Sequence, residues 1–107
     1  MRESRRHPRK SIEGRVEIST NGSTFLGDLR NISEGGLSLT TSTPYEVGYE
    51  MLLSVEVSEA VERFNALAEV VWVHPLEAVL HPIGMGLKFL ALTEEDYYRL
   101  GKILELI

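Results

Sequence analysis

The sequence predicts an all-β domain, a six-stranded antiparallel β-barrel with one C-terminal helix, on three observations. Apolar residues recur at every second position through six separate segments, the signature of strands with one buried face. Gly, Pro and Asn-Gly punctuate the chain between those segments. Only the last segment changes to a helical period, and no helix alternates with the strands as a parallel sheet would require.

Taken in order, residues 1–14 read as a basic arm: they are polar, and Pro8 and Gly14 discourage a helix. The barrel is expected over residues 15–107. Val16 and Ile18 alternate with Glu17 and Ser19, and Asn21-Gly22 then marks a hairpin turn. Phe25 to Leu29 resumes a strand pattern. Leu37 and Leu39 alternate with Ser38 and Thr40. Met51, Leu53, Val55 and Val57 define a fourth strand, and Ala66, Ala68, Val70 and Trp72 are assigned to one face of a fifth. Met85, Leu87 and Phe89 share a face of the sixth, and Pro44, Gly48, Pro75, Pro82 and Gly84 fall in the turns. Thr93-Glu94-Glu95-Asp96 then reads as a capped helix start, with acids at the positive end of the helix dipole. Tyr97, Leu100, Ile103, Leu104 and Ile107 form its apolar stripe, which serves to cap a barrel opening, to pack on the wall or to carry a homodimer contact.

A length of 107 residues suits one domain. Such a chain buries roughly two-thirds of its unfolded surface and can fold alone. The absence of Cys excludes disulfides, thiolate metal sites and Cys nucleophiles, and is consistent with the expected cytoplasmic location. No apolar run approaches the roughly 20 residues that cross a bilayer, so no membrane insertion is expected. The Arg-rich start lacks the apolar stretch of a secretory signal.

The net charge of −5 conceals an asymmetry. Residues 1–15 carry six basic side chains against two acidic, giving +4, and residues 16–107 carry five against fourteen, giving −9. Binding of polymeric nucleic acid calls for a broader basic face than this. A short basic arm on an acidic body suits a small anionic ligand, although by itself it also describes a solvated tail.

Two segments carry the candidate chemistry. In Arg5-Arg6-His7-Pro8-Arg9-Lys10, the guanidinium fork can take a phosphate through paired charge-assisted bonds, hold the O6/N7 edge of guanine, or stack on a base. Arg5 and Arg9 lie four apart, a separation of about 13 Å in an extended chain, sufficient for the two ends of a compact dinucleotide. In Asn31-Ile32-Ser33-Glu34-Gly35-Gly36, Asn and Ser favour side-chain-to-backbone bonds and the glycine pair permits positive φ. Alone, that segment is an ordinary β-turn.

In this order, Arg-x-x-x-Arg, a strand, then Asn-x-Ser-x-x-Gly resembles the two-part signature of PilZ domains. The resemblance continues through NISEGGLSL at Asn31 to Leu39, AEVVWV at Ala68 to Val73, and GMGLKFLALTEEDYYRL near the end, covering roughly residues 4 to 106. It implies a PilZ-like barrel with a C-terminal helix that binds cyclic di-GMP. By the same resemblance, Arg5 and Arg9 would hold phosphates and guanine edges, with Arg6 auxiliary. Asn31 and Ser33 would contact a guanine or bridge to phosphate, and Gly36 would let the backbone turn closely beneath the ligand. Asn31 stands where the family often has Asp, so one charged acceptor is replaced by an amide.

The remaining candidates have plainer explanations. His7, His74 and His81 lack an evident third ligand, so no metal is expected. Ser33 has no visible His–Asp partner, and the acids at 94–96 belong to the helix start, so no catalytic residue and no cofactor are expected. Trp72 is assigned to the core in preference to a guanine-stacking role. The expected function is therefore that of a cyclic di-GMP receptor that orders its N-terminal arm on binding and relays the signal to an effector protein. Two alternatives stay open here: a protein–protein adaptor of the same fold without nucleotide binding, and a small barrel that binds single-stranded nucleic acid.

Overall fold

A computed structural model describes residues 10–59, 61–74 and 83–107. Its strands are β1 (Lys10–Thr20), β2 (Ser23–Ile32), β3 (Gly36–Thr40), β4 (Glu50–Glu56), β5 (Phe64–His74) and β6 (Gly84–Ala91), followed by helix α1 (Glu94–Glu105). All pairings are antiparallel, and the strands close into a barrel in the order β1-β2-β3-β6-β5-β4. The six strands and the helix expected from the sequence are all present. Closure leaves no unpaired sheet edge to template aggregation.

The alternation works as expected along most strands. Val16 and Ile18, Leu37 and Leu39, Met51, Leu53 and Val55, and Met85 and Leu87 are buried in one barrel core. Asn21 (φ 35°) and Gly22 (φ 84°) form the two-residue turn that closes β1 onto β2, with Thr20 opposite Ser23. Two left-handed residues match the twist of the flanking strands, which explains the Asn-Gly pair. β1 begins at Lys10, inside the stretch assigned to the arm, because Lys10 and Ser11 pair with Ile32 and Asn31 at the end of β2. Residues 1–9 lie outside the described residues. Gly84, assigned to a turn, opens β6.

Helix α1 packs against β5 and the barrel core. Leu100 and Ile103 are fully buried and join the core cluster that includes Phe64. Its first turn is held from two sides. The Thr93 hydroxyl accepts the Asp96 N–H at 3.0 Å and donates to Asp96 Oδ2 at 2.8 Å, while Asp96 Oδ1 accepts the Asn65 N–H of β5 at 2.9 Å. Asp96 is therefore more than a helix-start acid: it pins the helix to the barrel wall. This also corrects the stripe. Asp96 takes the inward position of the first turn, and Tyr97 is 53% exposed.

Candidate functional site

The turn between β2 and β3 is built from its own polar groups. Ser33 is buried, and its N–H donates to the Gly36 carbonyl at 2.8 Å. Its hydroxyl accepts the Gly35 N–H at 3.2 Å and donates to the Gly36 carbonyl at 3.4 Å. The Gly35 carbonyl in turn accepts the Phe89 N–H of β6 at 2.8 Å. Neither Gly35 nor Gly36 has positive φ, contrary to the reason the sequence suggested for the glycine pair. The requirement at Gly36 is close approach: an added Cβ would collide with the Leu87 carbonyl oxygen and lie 3.0 Å from Lys88 Cα.

A β-bulge brings Asn31 to the outer face. Leu29 pairs with Leu39 and Asn31 with Ser38, so Arg30 has no opposite number on β3. With Leu29 and Ile32 both buried, the extra residue leaves Arg30 exposed and Asn31 half-buried beside it. Cross-strand pairing then defines one outer row around the barrel: Ser11, Asn31, Ser38, Gly86 and Trp72. Its middle is poor in side chains, with Gly36 and Gly84 flanking Ser38 and Gly86 on the neighbouring strands. This side-chain-poor stretch, hereafter the trough, is covered in the structure: Ser38 is 2% exposed, and Gly36, Gly84 and Gly86 are buried.

Trp72 lies on the outer face, over the Gly86 part of that trough, which corrects its assignment to the core. Val70 pairs with Leu87 and Trp72 with Gly86, so a second bulge at Val71 shifts the alternation by one residue. Ala66, Ala68 and Val70 stay inside, while Trp72 turns outward and is 36% exposed. The indole lies over Gly86, where a Cβ would collide with its ring atoms, and its centroid is 4.9 Å from that of His74. Sequence alternation could not reveal this, because a bulge is defined by the partner strand.

Two cations that carry no signal in the sequence pattern also border the trough. Arg30 sits on the β2 bulge next to Asn31. Lys88 is the cross-strand partner of Gly36, with its ammonium 3.7 Å from Glu69 and a half-exposed side chain. A depression of about 800 Å³ on the other side of Arg30 is less suited to an anion, since Glu13, Asp28, Glu56 and Glu59 line it against Arg15 and Arg30. The structure thus brings together Asn31, Ser33 and Gly36 from the set expected on sequence. Arg5, Arg6 and Arg9 lie outside the described residues, as do His7 and His81. Among the described residues no group of His, Asp and Glu is arranged to hold a metal, and no helix is long and apolar enough to cross a membrane.

A closed six-stranded antiparallel barrel followed by a single C-terminal helix defines the class of fold. The chain belongs to the PilZ domain family, whose pattern it matches over residues 3–106. Solved structures share the fold. The Bacillus subtilis inhibitor of motility MotI/DgrA superposes with a TM-score of 0.80 at 16% identity, over 97% of this chain and 51% of that one. The PilZ domain of Escherichia coli YcgR, solved with c-di-GMP, gives 0.76 at 17% identity, over 97% of this chain and 91% of that one. The Klebsiella pneumoniae MrkH–c-di-GMP complex gives 0.73 at 23% identity, over 96% of this chain and 52% of that one. This chain thus spans about half the length of MotI and MrkH. Comparison with curated protein sequences found no match.

Proposed function

We propose that this protein is a cyclic di-GMP receptor that relays the second messenger to an effector protein, and that it acts by binding and not by catalysis. One observation carries the reading. The segment bearing Arg5, Arg6 and Arg9 joins the barrel at Lys10 and Ser11, whose partners across the sheet are Ile32 and Asn31. This pairing supports a single location on the barrel for both halves of the signature. Arg9 is covalently one residue, about 3.8 Å between Cα atoms, from that pairing. Family membership supports the same ligand, as do the two related structures solved with c-di-GMP.

In this reading Arg5 and Arg9 clamp phosphate and the O6/N7 edges of guanine, and Arg6 assists. Asn31 accepts from a guanine on the barrel side. Ser33 holds the turn and can exchange its 3.4 Å bond to the Gly36 carbonyl for a ligand oxygen. Gly36 keeps β3 tight against β6 beneath the ligand. The outer-face indole of Trp72 offers a π-surface to a base, and Arg30 and Lys88 add positive charge at the rim. The ligand's two phosphates relieve the mutual repulsion of the arm's arginines, and the charge-assisted hydrogen bonds to them offset the entropy of ordering residues 1–9. The effector then recognises the reshaped surface in the cytoplasm.

Calorimetric titration of Arg9→Ala tests the assignment. Affinity for cyclic di-GMP is expected to fall at least tenfold, as the loss of a bidentate charge-assisted contact of about 1.5–3 kcal/mol implies, with an unchanged melting temperature. Arg2→Ala should have a much smaller effect. Equal affinity of Arg9→Ala and wild type removes the arginine pair from the site. Hydrogen exchange checks the switch: residues 5–12 and 31–37 should gain protection with nucleotide, with little change in α1.

A further inference from the structure

A second outer surface lies away from the trough, at the α1 end of β4, β5 and β6. Its centre is the cross-strand row Leu52, Leu67 and Ala91. Leu67 pairs with Ala91 and Ala68 with Phe89, so Leu90 is an extra residue on β6. Leu90 faces outward by ordinary alternation and is 41% exposed; the bulge turns the next residue, Ala91, outward as well, beside Leu67, and Leu52 on the same row is 57% exposed. Between the strands and the helix start runs a groove of about 330 Å³, lined mainly by Leu52, Ala66, Leu67, Ala91 and Leu92. Isolated exposed leucines need no explanation, but apolar residues gathered around a groove mark a contact surface.

The charge around this groove defines its occupant. Glu50 and Glu69 lie on the adjoining outer row, and Glu17 pairs across from Ser54 on the other side. Glu94 and Glu95 open the helix at its end. Three cations around these acids are already engaged, Arg99 with Asp96 of the groove lining at 3.7 Å and with Glu62 at 3.4 Å. Lys88 faces Glu69 at 3.7 Å, and Arg63 lies between Glu17 at 4.0 Å and Glu56 at 3.4 Å. An apolar groove with an acidic rim favours an apolar side chain flanked by lysines or arginines and repels an acidic counterpart. It also disfavours a second copy of this chain seated groove to groove, since each copy would bring the same acidic rim.

We propose that the groove formed by Leu52, Leu67, Ala91 and Leu92 is the docking site for a basic, leucine-bearing segment of a partner protein. Its assignment as the output surface rests on the receptor reading above. The same two strands, β5 and β6, carry Trp72 and Gly86 at the trough and Leu67 and Ala91 at the groove, which joins the two places through one strand pair.

The test uses the full chain and three synthetic peptides: a short lysine-rich peptide carrying leucines, a version with serine for leucine, and a version with glutamate for lysine. Amide chemical shifts are followed with and without cyclic di-GMP. The leucine–lysine peptide should shift amides at residues 50–53, 65–68 and 90–94, and Leu52→Ser should weaken its binding about tenfold, as for an anchor residue. Cyclic di-GMP affinity should be unchanged in that variant, which confirms the fold and keeps this test separate from that of the nucleotide site. Equal binding by the serine version reduces the surface to bare charge and overturns the proposal, as does equal binding by the glutamate version. Concentration-dependent self-association that maps to these same amides would also overturn it, in favour of a homodimer face.

Discussion

Gly36 offers the sharpest separation between a folding role and a ligand role. An added methyl at Gly36 has no room: it meets the Leu87 carbonyl oxygen and, at 3.0 Å, Lys88 Cα. Both belong to the backbone of a paired strand and cannot rotate away. β3 and β6 must separate locally, which strains the packing by about 1–3 kcal/mol and weakens the bond from the Phe89 N–H to the Gly35 carbonyl, worth about 1 kcal/mol. A net loss of about 2–3 kcal/mol corresponds to a fall in melting temperature of about 8–24 °C for a domain of this size. Gly86→Ala is the matched control. Its methyl meets the Trp72 ring, including Cζ2 at 2.7 Å, and a half-exposed ring can swing into solvent. Gly86→Ala should therefore melt close to wild type while shifting the emission of the sole tryptophan to longer wavelength and weakening cyclic di-GMP binding several-fold. Thermal melts and intrinsic fluorescence read both effects. If Gly36→Ala melts with the wild type and loses only nucleotide binding, the close β3–β6 approach is not what requires glycine there, and the reasoning fails.

Three further outcomes are expected. Asp96→Ala should lose about 2 kcal/mol by denaturant titration, because it removes the acceptors of both the Thr93 hydroxyl and the Asn65 N–H; Thr93→Ala, which removes the acceptor of the Asp96 N–H, should lose about 1 kcal/mol, and equal losses would show that the tie to β5 contributes nothing. Ser33→Ala should lower the melting temperature as well as cyclic di-GMP affinity, unlike Arg9→Ala, because its hydroxyl is the acceptor for the Gly35 N–H; a loss of affinity at unchanged stability would make Ser33 a pure ligand contact. Cyclic di-AMP should bind far more weakly than cyclic di-GMP, since adenine places an amino donor where guanine O6 accepts from arginine; comparable affinities in competition titration would mean that only phosphate and stacking are read.

Much of the fold and part of the site were legible in the sequence. Period-two alternation located all six strands, because one face of each meets the barrel core. Asn21-Gly22 specified its turn, because two left-handed residues in succession are tolerated there by few other pairs. Thr93 and the acids behind it marked the helix start correctly. The turn from Asn31 to Gly36 was also placed, and the structure gathers Asn31, Ser33 and Gly36 at one end of β2 and β3.

The sequence by itself thus determined the architecture and the composition of the turn, since periodicity, turn chemistry and capping are local properties of the chain. Tertiary structure alone decided which outward residues form surfaces. Arg30, Val71 and Leu90 each lack an opposite residue on the neighbouring strand, and those three offsets expose Asn31, turn Trp72 out of the core and set Ala91 into the groove lining. The close approach at Gly36 and the reach of Asp96 to Asn65, 31 residues away, are of the same kind. A bulge, a backbone contact or a cross-element cap is a relation between two segments. Its energy depends on register and separation, which neither segment encodes alone.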